Sequence, residues 1–311
     1  MRHLAFWVSC VLVLATSLGA QTHKDSRIGF QIKPPRKFDA IALKPGQSNP
    51  VVQWQSEKRE FGSGAQSRSS FMSTFSVSYY GSGGAADLSA EEWALATLDG
   101  IEKRIGYGTL LKEGDTKVAR TEAYYRQIES QSNTLSYHVT VLPQDDGLFV
   151  FEGVAMTERF KDYARDFDKA VKSFKRVAKE DLSDRDAELS QMDDQERRLQ
   201  TLLDKLPDGW DHLRTDRYMF VYNADKDFVK DLAKQIEVIR DVYEEIYPPE
   251  EPIDDISVVR VCKDRDTYVG YGGPAGAGGH WSSGLKELVI FDMAPREATI
   301  GVLNHEAFHQ Y

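Results

Sequence analysis

The chain has 311 residues, of which 41% are apolar and 28% are charged, a composition typical of a globular protein with a buried core. Lys and Arg number 39 against 49 Asp and Glu, giving a net charge of −10, which argues against nucleic acid or an anionic membrane as the main partner. At roughly 150 residues per domain, the length favours two domains.

The first twenty residues have the pattern of a secretory signal peptide. Arg2 gives a basic start, residues 4–18 form an apolar core, and small residues end it at Ala20. We predict cleavage near Ala20 and a secreted or periplasmic protein. An uncleaved anchor helix is the alternative, although the apolar stretch is short for a membrane span. The mature chain then has no membrane span and a single cysteine, Cys262, so it forms no internal disulfide.

Residues 25–177 are predicted to form a domain of antiparallel strands. Period-two hydrophobic runs predict strands at residues 38–43, 51–55, 71–80, 119–128, 135–142 and 148–156. Asp146-Gly147, between the last two runs, is a strong hairpin signal. His138 stands alone on a predicted strand and is interpreted as a packed or surface histidine rather than a metal ligand.

Two helices are predicted among these strands. Ser89 and Glu92 form a capping box for the first helix, whose apolar stripe stops at Gly106. Thr157 is predicted to cap the second helix, whose phenylalanine-rich stripe ends at Phe174. Adjacent hairpins with one helix in the middle and one at the end imply an antiparallel α/β sandwich.

This order of elements, with its closing Phe-rich helix, resembles the Mog1/PsbP-like group of domains. Domains of that group mostly bind other proteins or help assembly, so the resemblance implies a protein partner for residues 25–177. The region contains no His/Cys/carboxylate cluster, no nucleophile elbow and no phosphate-binding loop. We therefore expect an interaction domain here rather than a catalytic one.

Residues 178–206 are dense in charged side chains, with Leu and Met repeating at steps of three, four and seven. This pattern predicts a charged, solvated linker helix with a narrow apolar seam, ended by Pro207. A dimerising coiled coil is the alternative, but the pattern lasts only about three heptads.

A second domain is predicted over residues 207–311. Its expected elements are strands at residues 218–222, 256–262 and 288–292 and a long helix over residues 228–246. A glycine-rich stretch at residues 270–284 is interpreted as a mobile loop or as the wall of a cleft. It is not a phosphate-binding loop, because a strand follows it and the Gly-Lys-Ser/Thr ending is absent.

The motif that carries chemistry is His305-Glu306-Ala307-Phe308-His309. Residues four apart share one helix face about 6 Å apart along the axis, so His305 and His309 can bind a single Zn²⁺. Glu306 then lies beside the metal, where its carboxylate can take a proton from a water whose pKa the zinc lowers to about 7. A surface helix with two incidental histidines is the alternative.

Residues 218–311, with this motif and the strand-helix-strand-loop-strand order before it, resemble gluzincin-type zinc metallopeptidases. Within that type the chain is most similar to uncharacterised bacterial secreted proteins with a peptidase-MA-like domain. The resemblance implies that His305 and His309 are zinc ligands and that Glu306 is the general base. It also implies that the strand at residues 288–292 is the sheet edge along which an extended peptide substrate lies.

A catalytic zinc site needs three protein ligands and a water. In the family that the motif resembles, the third ligand is a glutamate on a later helix, so we expect it beyond residue 311 and expect these 311 residues alone to be inactive. His280, Glu287 and Asp292 are weaker candidates within the chain.

The sequence thus predicts an α+β protein in three parts: an antiparallel α/β sandwich at 25–177, a charged helical linker at 178–206, and a truncated zincin-like α+β domain at 207–311. The predicted function is that of a secreted zinc peptidase acting on a peptide or protein substrate. A secreted binding or assembly protein with a vestigial zincin domain is the rival. A structural zinc would require a closed shell of four ligands, which one Cys and scattered His residues do not readily supply.

Overall fold

The computed structural model describes residues 22–43, 49–61, 69–82, 88–251 and 253–311. The predicted signal peptide, residues 1–20, lies outside the described residues. The described chain is a mixed α/β structure with a seven-stranded antiparallel sheet and a five-stranded sheet. Within these ranges, no helix has the length and apolar character needed to cross a membrane.

The first half of the chain is built on the seven-stranded sheet. The strands of this half are β1 (His23–Asp25), β2 (Phe30–Ile32), β3 (Phe38–Ile41), β4 (Val52–Ser56), β5 (Arg59–Phe61), β6 (Ser69–Phe71), β7 (Thr74–Gly81), β8 (Thr109–Val118), β9 (Thr121–Glu129), β10 (Leu135–Gln144), β11 (Gly147–Met156) and β12 (Lys175–Arg176). The β5 and β6 strands pair with each other. The large sheet has the order β3-β4-β7-β11-β10-β9-β8, and β1, β2 and β12 form a smaller sheet. The six predicted strands are confirmed, and β8 is an additional edge strand.

Helices cover both faces of the seven-stranded sheet. The α-helices of the described chain are α1 (Ala90–Ile105), α2 (Phe160–Lys172), α3 (Ser183–Gln191), α4 (Asp194–Leu203), α5 (Lys226–Ile246), α6 (Arg265–Tyr271) and α7 (Arg296–Gln310). Leu98 of α1 packs with Val150 of β11, whereas Phe167 of α2 packs with Phe151 of the same strand. Because neighbouring residues of a strand face opposite sides, the two helices sandwich the sheet between them.

One predicted helix cap is confirmed and the other is wrong. Ser89 Oγ accepts a hydrogen bond from Glu92 N at 3.3 Å, Glu92 Oε2 accepts one from Ser89 N at 2.9 Å, and Gly106 ends the helix at a φ of 92°. Thr157 caps no helix, because residues 157–159 form a 3-10 turn before α2. Its hydroxyl lies 3.0 Å from Ser136 Oγ instead, so it ties β11 to the neighbouring strand β10.

Residues 178–206 form two helices, not the single solvated helix that the charge pattern predicts. No residue of α3 is buried. The α4 helix starts at Asp193, whose side chain caps it, and its Leu199 is 1% exposed against Met219 and Val258 of the second sheet. The second half of this segment is therefore a layer packed on the second sheet.

The five-stranded sheet organises the C-terminal half. Its strands are β13 (Asp211–Arg214), β14 (Tyr218–Tyr222), β15 (Ser257–Cys262), β16 (Gly279–Ser282) and β17 (Glu287–Phe291). Their order is β13-β14-β15-β17-β16, with the three central strands parallel and both edge strands antiparallel to their neighbours. The α5 and α7 helices pack on one face, and α4 and α6 pack on the other.

The edge strand of this sheet is not the one that the sequence predicts. The strand predicted at residues 288–292 is β17, which lies inside the sheet between β15 and β16. The edge strand beside β17 is β16. Its residues belong to the glycine-rich stretch that was interpreted as a mobile loop or as the wall of a cleft. A four-residue strand that begins with glycine is too short for its period to be read from sequence.

The two halves of the chain touch through the start of the first sheet. Ala42, which follows β3, packs with Tyr268 and Phe291 of the C-terminal half. Lys263 Nζ lies 2.7 Å from Asp39 Oδ2 at the same boundary. These contacts place the N-terminal sheet against α6, on the side of the second sheet that faces away from α7.

Candidate metal and catalytic site

The α7 helix is held on the sheet by a small number of buried side chains. Leu303 and Ala307 are 0% and 1% exposed and lie in the core between α5, α7 and the sheet. Tyr243 of α5 donates a hydrogen bond from its hydroxyl to the carbonyl oxygen of Asn304 at 2.6 Å. These contacts fix the rotation of α7 about its own axis, so the residues between them have defined directions.

Glycines let α7 approach the edge strand closely. A Cβ atom at Gly279 would lie 2.7 Å from Val302 Cγ1, and one at Gly278 would lie 3.0 Å from Val302 Cγ2. Both distances are shorter than ordinary carbon contacts. The glycine-rich stretch therefore has a packing role: it brings Glu306, one turn after Val302, to the edge of the sheet.

His305 and His309 lie on the exposed side of α7 with their rings together. Their Nε2 atoms are 3.3 Å apart and their ring centroids 4.9 Å apart. Two nitrogen ligands at 2.0–2.1 Å from a tetrahedral Zn²⁺ are about 3.3 Å apart. The spacing of the two nitrogens thus fits two positions of a zinc site.

Glu306 projects from α7 to β16 rather than to the histidines. Its Oε2 accepts a hydrogen bond from the backbone N–H of Trp281 at 2.9 Å. Trp281 is on the outer strand of the sheet, so this carboxylate accepts a hydrogen bond from a main-chain N–H group at the sheet edge. The side chain is half-buried.

The described residues bring together two candidate metal ligands and not three. Across the described ranges, no group of three His, Cys, Asp or Glu side chains is placed to hold one ion. Glu287 instead accepts a hydrogen bond from Arg260 Nε at 2.6 Å in the sheet interior. Asp292 accepts one from Arg296 Nη2 at 3.2 Å. Neither carboxylate joins the two histidines.

A tyrosine–histidine pair lies on the other side of the edge strand. Tyr268 of α6 is 0% exposed, and its hydroxyl oxygen is 3.0 Å from His280 Nδ1 on β16. Burial raises the pKa of Tyr268 to about 12, and the negative charge of Glu306 acts in the same direction. The hydroxyl is therefore protonated at neutral pH.

Sequence reasoning missed both Trp281 and Tyr268 as members of this region. Trp281 contributes its backbone N–H, and a pattern of side chains in the sequence cannot predict a contact of a backbone group. Tyr268 lies on a seven-residue helix that begins at Asp264, whose carboxylate accepts a hydrogen bond from Thr267 N at 2.8 Å. That Asp-x-x-Thr cap is the one local signal that could have placed α6.

No protein-family model and no curated protein matches the sequence. Among solved structures, the chain is similar to the cyanobacterial PsbP protein CyanoP of Synechocystis sp. PCC 6803, with 12% identity and a TM-score of 0.37 over 52% of this chain and 96% of that one. It is also similar to LpqN of Mycobacterium tuberculosis, described as involved in cell envelope biogenesis, with 9% identity and a TM-score of 0.32 over 50% of this chain and 90% of that one.

A third similar structure is a protein of Bacteroides thetaiotaomicron, with 6% identity and a TM-score of 0.34 over 82% of this chain and 69% of that one. A PsbP protein is thus among the solved structures similar to this chain. At these identities and TM-scores the similarities carry no argument about activity. The α/β architecture is defined by the strand order itself.

Proposed function

We propose that this protein is a zinc-dependent peptidase in which His305 and His309 bind the metal and Glu306 is the general base. The observation that supports the proposal most strongly is the 3.3 Å separation of the two Nε2 atoms. It matches the separation of two ligands on one tetrahedral zinc, about 3.3 Å, and it is also the distance of a hydrogen bond between the two rings. A third protein ligand would come from outside the residues that the structure describes.

When bound, the zinc would supply a water molecule acidic enough to be deprotonated near neutral pH. His305 and His309 would hold the ion through Nε2, because their rings lie together on the exposed side of α7. Glu306 follows the first ligand by one position, so its carboxylate is directed toward the sheet edge and is not a ligand. Its Oε1 would accept the proton of the attacking water.

The β16 strand would align the substrate. An extended peptide can add to an exposed sheet edge through main-chain hydrogen bonds, and β16 is the outer strand nearest to α7. The bond from Trp281 N to Glu306 Oε2 fixes the carboxylate at that edge. A peptide bound along the rest of that edge would bring its carbonyl beside the water from which Glu306 would take a proton.

The N-terminal half supports a second part of the proposal. Its sandwich would serve as a binding module for a protein partner, as the resemblance to Mog1/PsbP-like domains implies. The basic start, apolar core and small-residue exit of residues 1–20 support export to the periplasm or the extracellular space.

The decisive test is Glu306→Gln in the natural protein, with zinc measured by elemental analysis and hydrolysis measured on a quenched peptide library. We expect the variant to keep its zinc, because residue 306 is not a ligand. Hydrolysis should fall by on the order of 10²–10⁴-fold, because the amide cannot accept a proton. His305→Ala and His309→Ala should lose both metal and activity.

His212→Ala is the matched control, because His212 is exposed on β13 at the opposite edge of the same sheet. It should change neither zinc content nor turnover. Wild-type turnover in Glu306→Gln would contradict the general-base role. A wild-type protein that carries zinc but cleaves no peptide would favour the rival, a binding or assembly protein with a vestigial zincin domain.

A further inference from the structure

A groove lies between α1 and the edge strand β8 on one face of the seven-stranded sheet. Ala94 and Leu98 of α1 pack with Val139 of β10 and Tyr124 of β9. The β8 strand lies one position further out in the sheet, and its first five residues are exposed. The space between the helix and this strand has a volume of about 330 Å³, which is within the range of ligand sites, roughly 300–1,000 Å³.

The floor of this groove is apolar and aromatic. Leu98 is 2% exposed, whereas Leu95, three residues earlier on α1, is 37% exposed. Tyr124 is half-buried and lines the groove together with both leucines. The groove therefore offers a ligand an exposed leucine and an aromatic ring side by side.

Three carboxylates surround Tyr124. Asp115 of β8 is paired with Tyr124 in the register of the two strands, and cross-strand partners share a face. Glu122, two residues before Tyr124 on β9, lies on that face as well. Glu91 lines the groove from the side of α1. Partial burial raises the pKa of Tyr124, and the negative charges of Glu91, Glu122 and Asp115 raise it further, as nearby carboxylates do.

The arginine of the groove does not neutralise these carboxylates. Arg126 Nη1 lies 2.7 Å from Asp99 Oδ1 and 3.0 Å from Glu102 Oε2, and its Nε lies 3.3 Å from Glu113 Oε2. One guanidinium is thus shared by three other carboxylates. The charge of this part of the surface is therefore negative even with Arg126 counted.

Glu91, Asp115 and Glu122 form no ion pair with any residue that the structure describes. Lys117 is opposite Glu122 in the strand register, but the two side chains are not within ion-pair distance of each other. All three carboxylates are exposed, so they are open to a positively charged group from outside the chain.

An aromatic ring among unpaired carboxylates is suited to a cation. Ammonium and guanidinium groups bind over aromatic faces, and they form strong charge-assisted hydrogen bonds with carboxylates. The exposed Leu95 adds an apolar contact that a free polyamine would leave in water. The combination favours a protein segment in which a basic residue lies next to a bulky apolar one.

We propose that this groove binds a basic, apolar segment of a partner protein. A lysine or arginine side chain of the partner lies over Tyr124 between Glu91 and Asp115, and a neighbouring apolar side chain covers Leu95. The proposal rests on the binding role proposed for the N-terminal half and names the surface that performs it. It involves neither zinc nor α7.

The test measures binding of three fluorescein-labelled peptides to the full chain by fluorescence anisotropy, with EDTA present to prevent metal-dependent hydrolysis. The probe is Gly-Leu-Lys-Lys-Leu-Lys-Lys-Leu-Gly. One comparison peptide has glutamate in place of each lysine, and the other has serine in place of each leucine. Wild type should bind the probe at least tenfold more tightly than either comparison peptide, because the groove offers both negative charge and apolar surface.

Three variants assign the binding to the groove. Glu91→Gln/Asp115→Asn/Glu122→Gln should weaken binding of the probe at least tenfold. Leu95→Ser should weaken binding of the probe but not of the serine peptide. Tyr124→Leu keeps an apolar side chain but removes the ring face, so it should weaken binding of the probe by about two- to fivefold.

Asp145→Asn/Glu158→Gln/Asp184→Asn is the matched control, because it removes three exposed carboxylates outside the groove. It should bind the probe like wild type, and an equal loss in this variant would overturn the proposal, since overall charge alone would then attract the probe. Binding that survives the triple substitution in the groove would overturn the choice of surface and leave the binding role of the N-terminal half standing. Failure of wild type to bind the probe would count against both.

Discussion

His138 is a base buried inside the N-terminal sandwich. It is 4% exposed, and its ring is stacked with that of Tyr125 and tilted against that of Phe167. Its Nδ1 lies 3.2 Å from Gln127 Nε2. Burial lowers its pKa from the ordinary 6.5 to about 4. The sequence interpretation of His138 as a packed or surface residue is confirmed as packed, and the histidine is neutral in the folded protein at neutral pH.

This shift predicts a specific loss of stability in acid. Because the pKa is lower in the folded state, the unfolded chain binds the proton first as the pH falls. The contribution of His138 to the free energy of unfolding is therefore complete above about pH 6.5 and is lost as the pH falls toward 4. The loss should reach about 3 kcal/mol, from 1.36 kcal/mol per pKa unit. Urea unfolding of wild type and His138→Gln at pH 7 and pH 4.5 measures it as a difference between the two proteins.

His212→Gln is the control for that experiment, because its side chain is 51% exposed. It should lose stability in acid to the same extent as wild type. An equal acid loss in His138→Gln would assign the effect to carboxylates elsewhere and contradict the role of His138.

The residues of the motif show how far sequence alone can go at this site. The four-residue spacing of His305 and His309 predicts a shared face, and the structure brings their nitrogens together. The partner of Glu306 could not be predicted, because Trp281 N reaches it only through the pairing of β16 with β17. Local spacing is encoded by helix geometry, whereas contacts between distant elements depend on packing.

The β16 strand needs glycine at position 279. A Cβ at Gly279 would lie 2.7 Å from Ile290 Cγ2 and from Val302 Cγ1, and 3.0 Å from the carbonyl oxygen of Val289. We expect Gly279→Ala to lower the free energy of unfolding by about 1–3 kcal/mol through overpacking. Thermal unfolding monitored by circular dichroism measures the loss.

Gly284→Ala is the matched control, since a Cβ there meets nothing within 4 Å. It should leave the unfolding free energy near the wild-type value. Adding Val302→Ala to Gly279→Ala should restore part of the lost stability by opening space on α7. Equal stability of the two alanine variants would show that the approach of α7 to β16 does not need glycine.

Elements were predicted correctly from the sequence where at least one of their faces is buried. The strands β10 and β11 have strong apolar runs because both faces are covered by helices. The edge strand β8 is exposed over its first five residues, so it has no hydrophobic period to detect. The seven-residue α6 is too short for a helical stripe, and the hydroxyl of Thr157 bonds to a strand rather than to a helix start.

In the whole molecule, the predicted linker is divided between exposed and packed parts. The α3 helix has no buried residue, whereas Leu199 of α4 is 1% exposed against the second sheet. Brief digestion with trypsin should therefore cut first at Arg185 in α3. Arg197 and Arg198 in α4 should resist, because local unfolding there exposes apolar core.

Mass spectrometry of the first two fragments tests this division. The expected products separate after residue 185, with α4 retained on the C-terminal fragment. Arg185→Gln should slow the first cut without changing later ones. First cleavage at Arg197 or Arg198 would contradict the packed position of α4.

The outer edge formed by β16 also bears on self-association of this protein. A sheet edge with open main-chain donors can pair with the edge of another copy and begin aggregation. Here the carboxylate of Glu306 occupies the Trp281 N–H, and a second strand would have to displace a charged group to reach it. The side chain that is proposed to take a proton during hydrolysis therefore also covers this donor, so a variant that shortens it, such as Glu306→Ala, would leave a surface open to self-association at the edge.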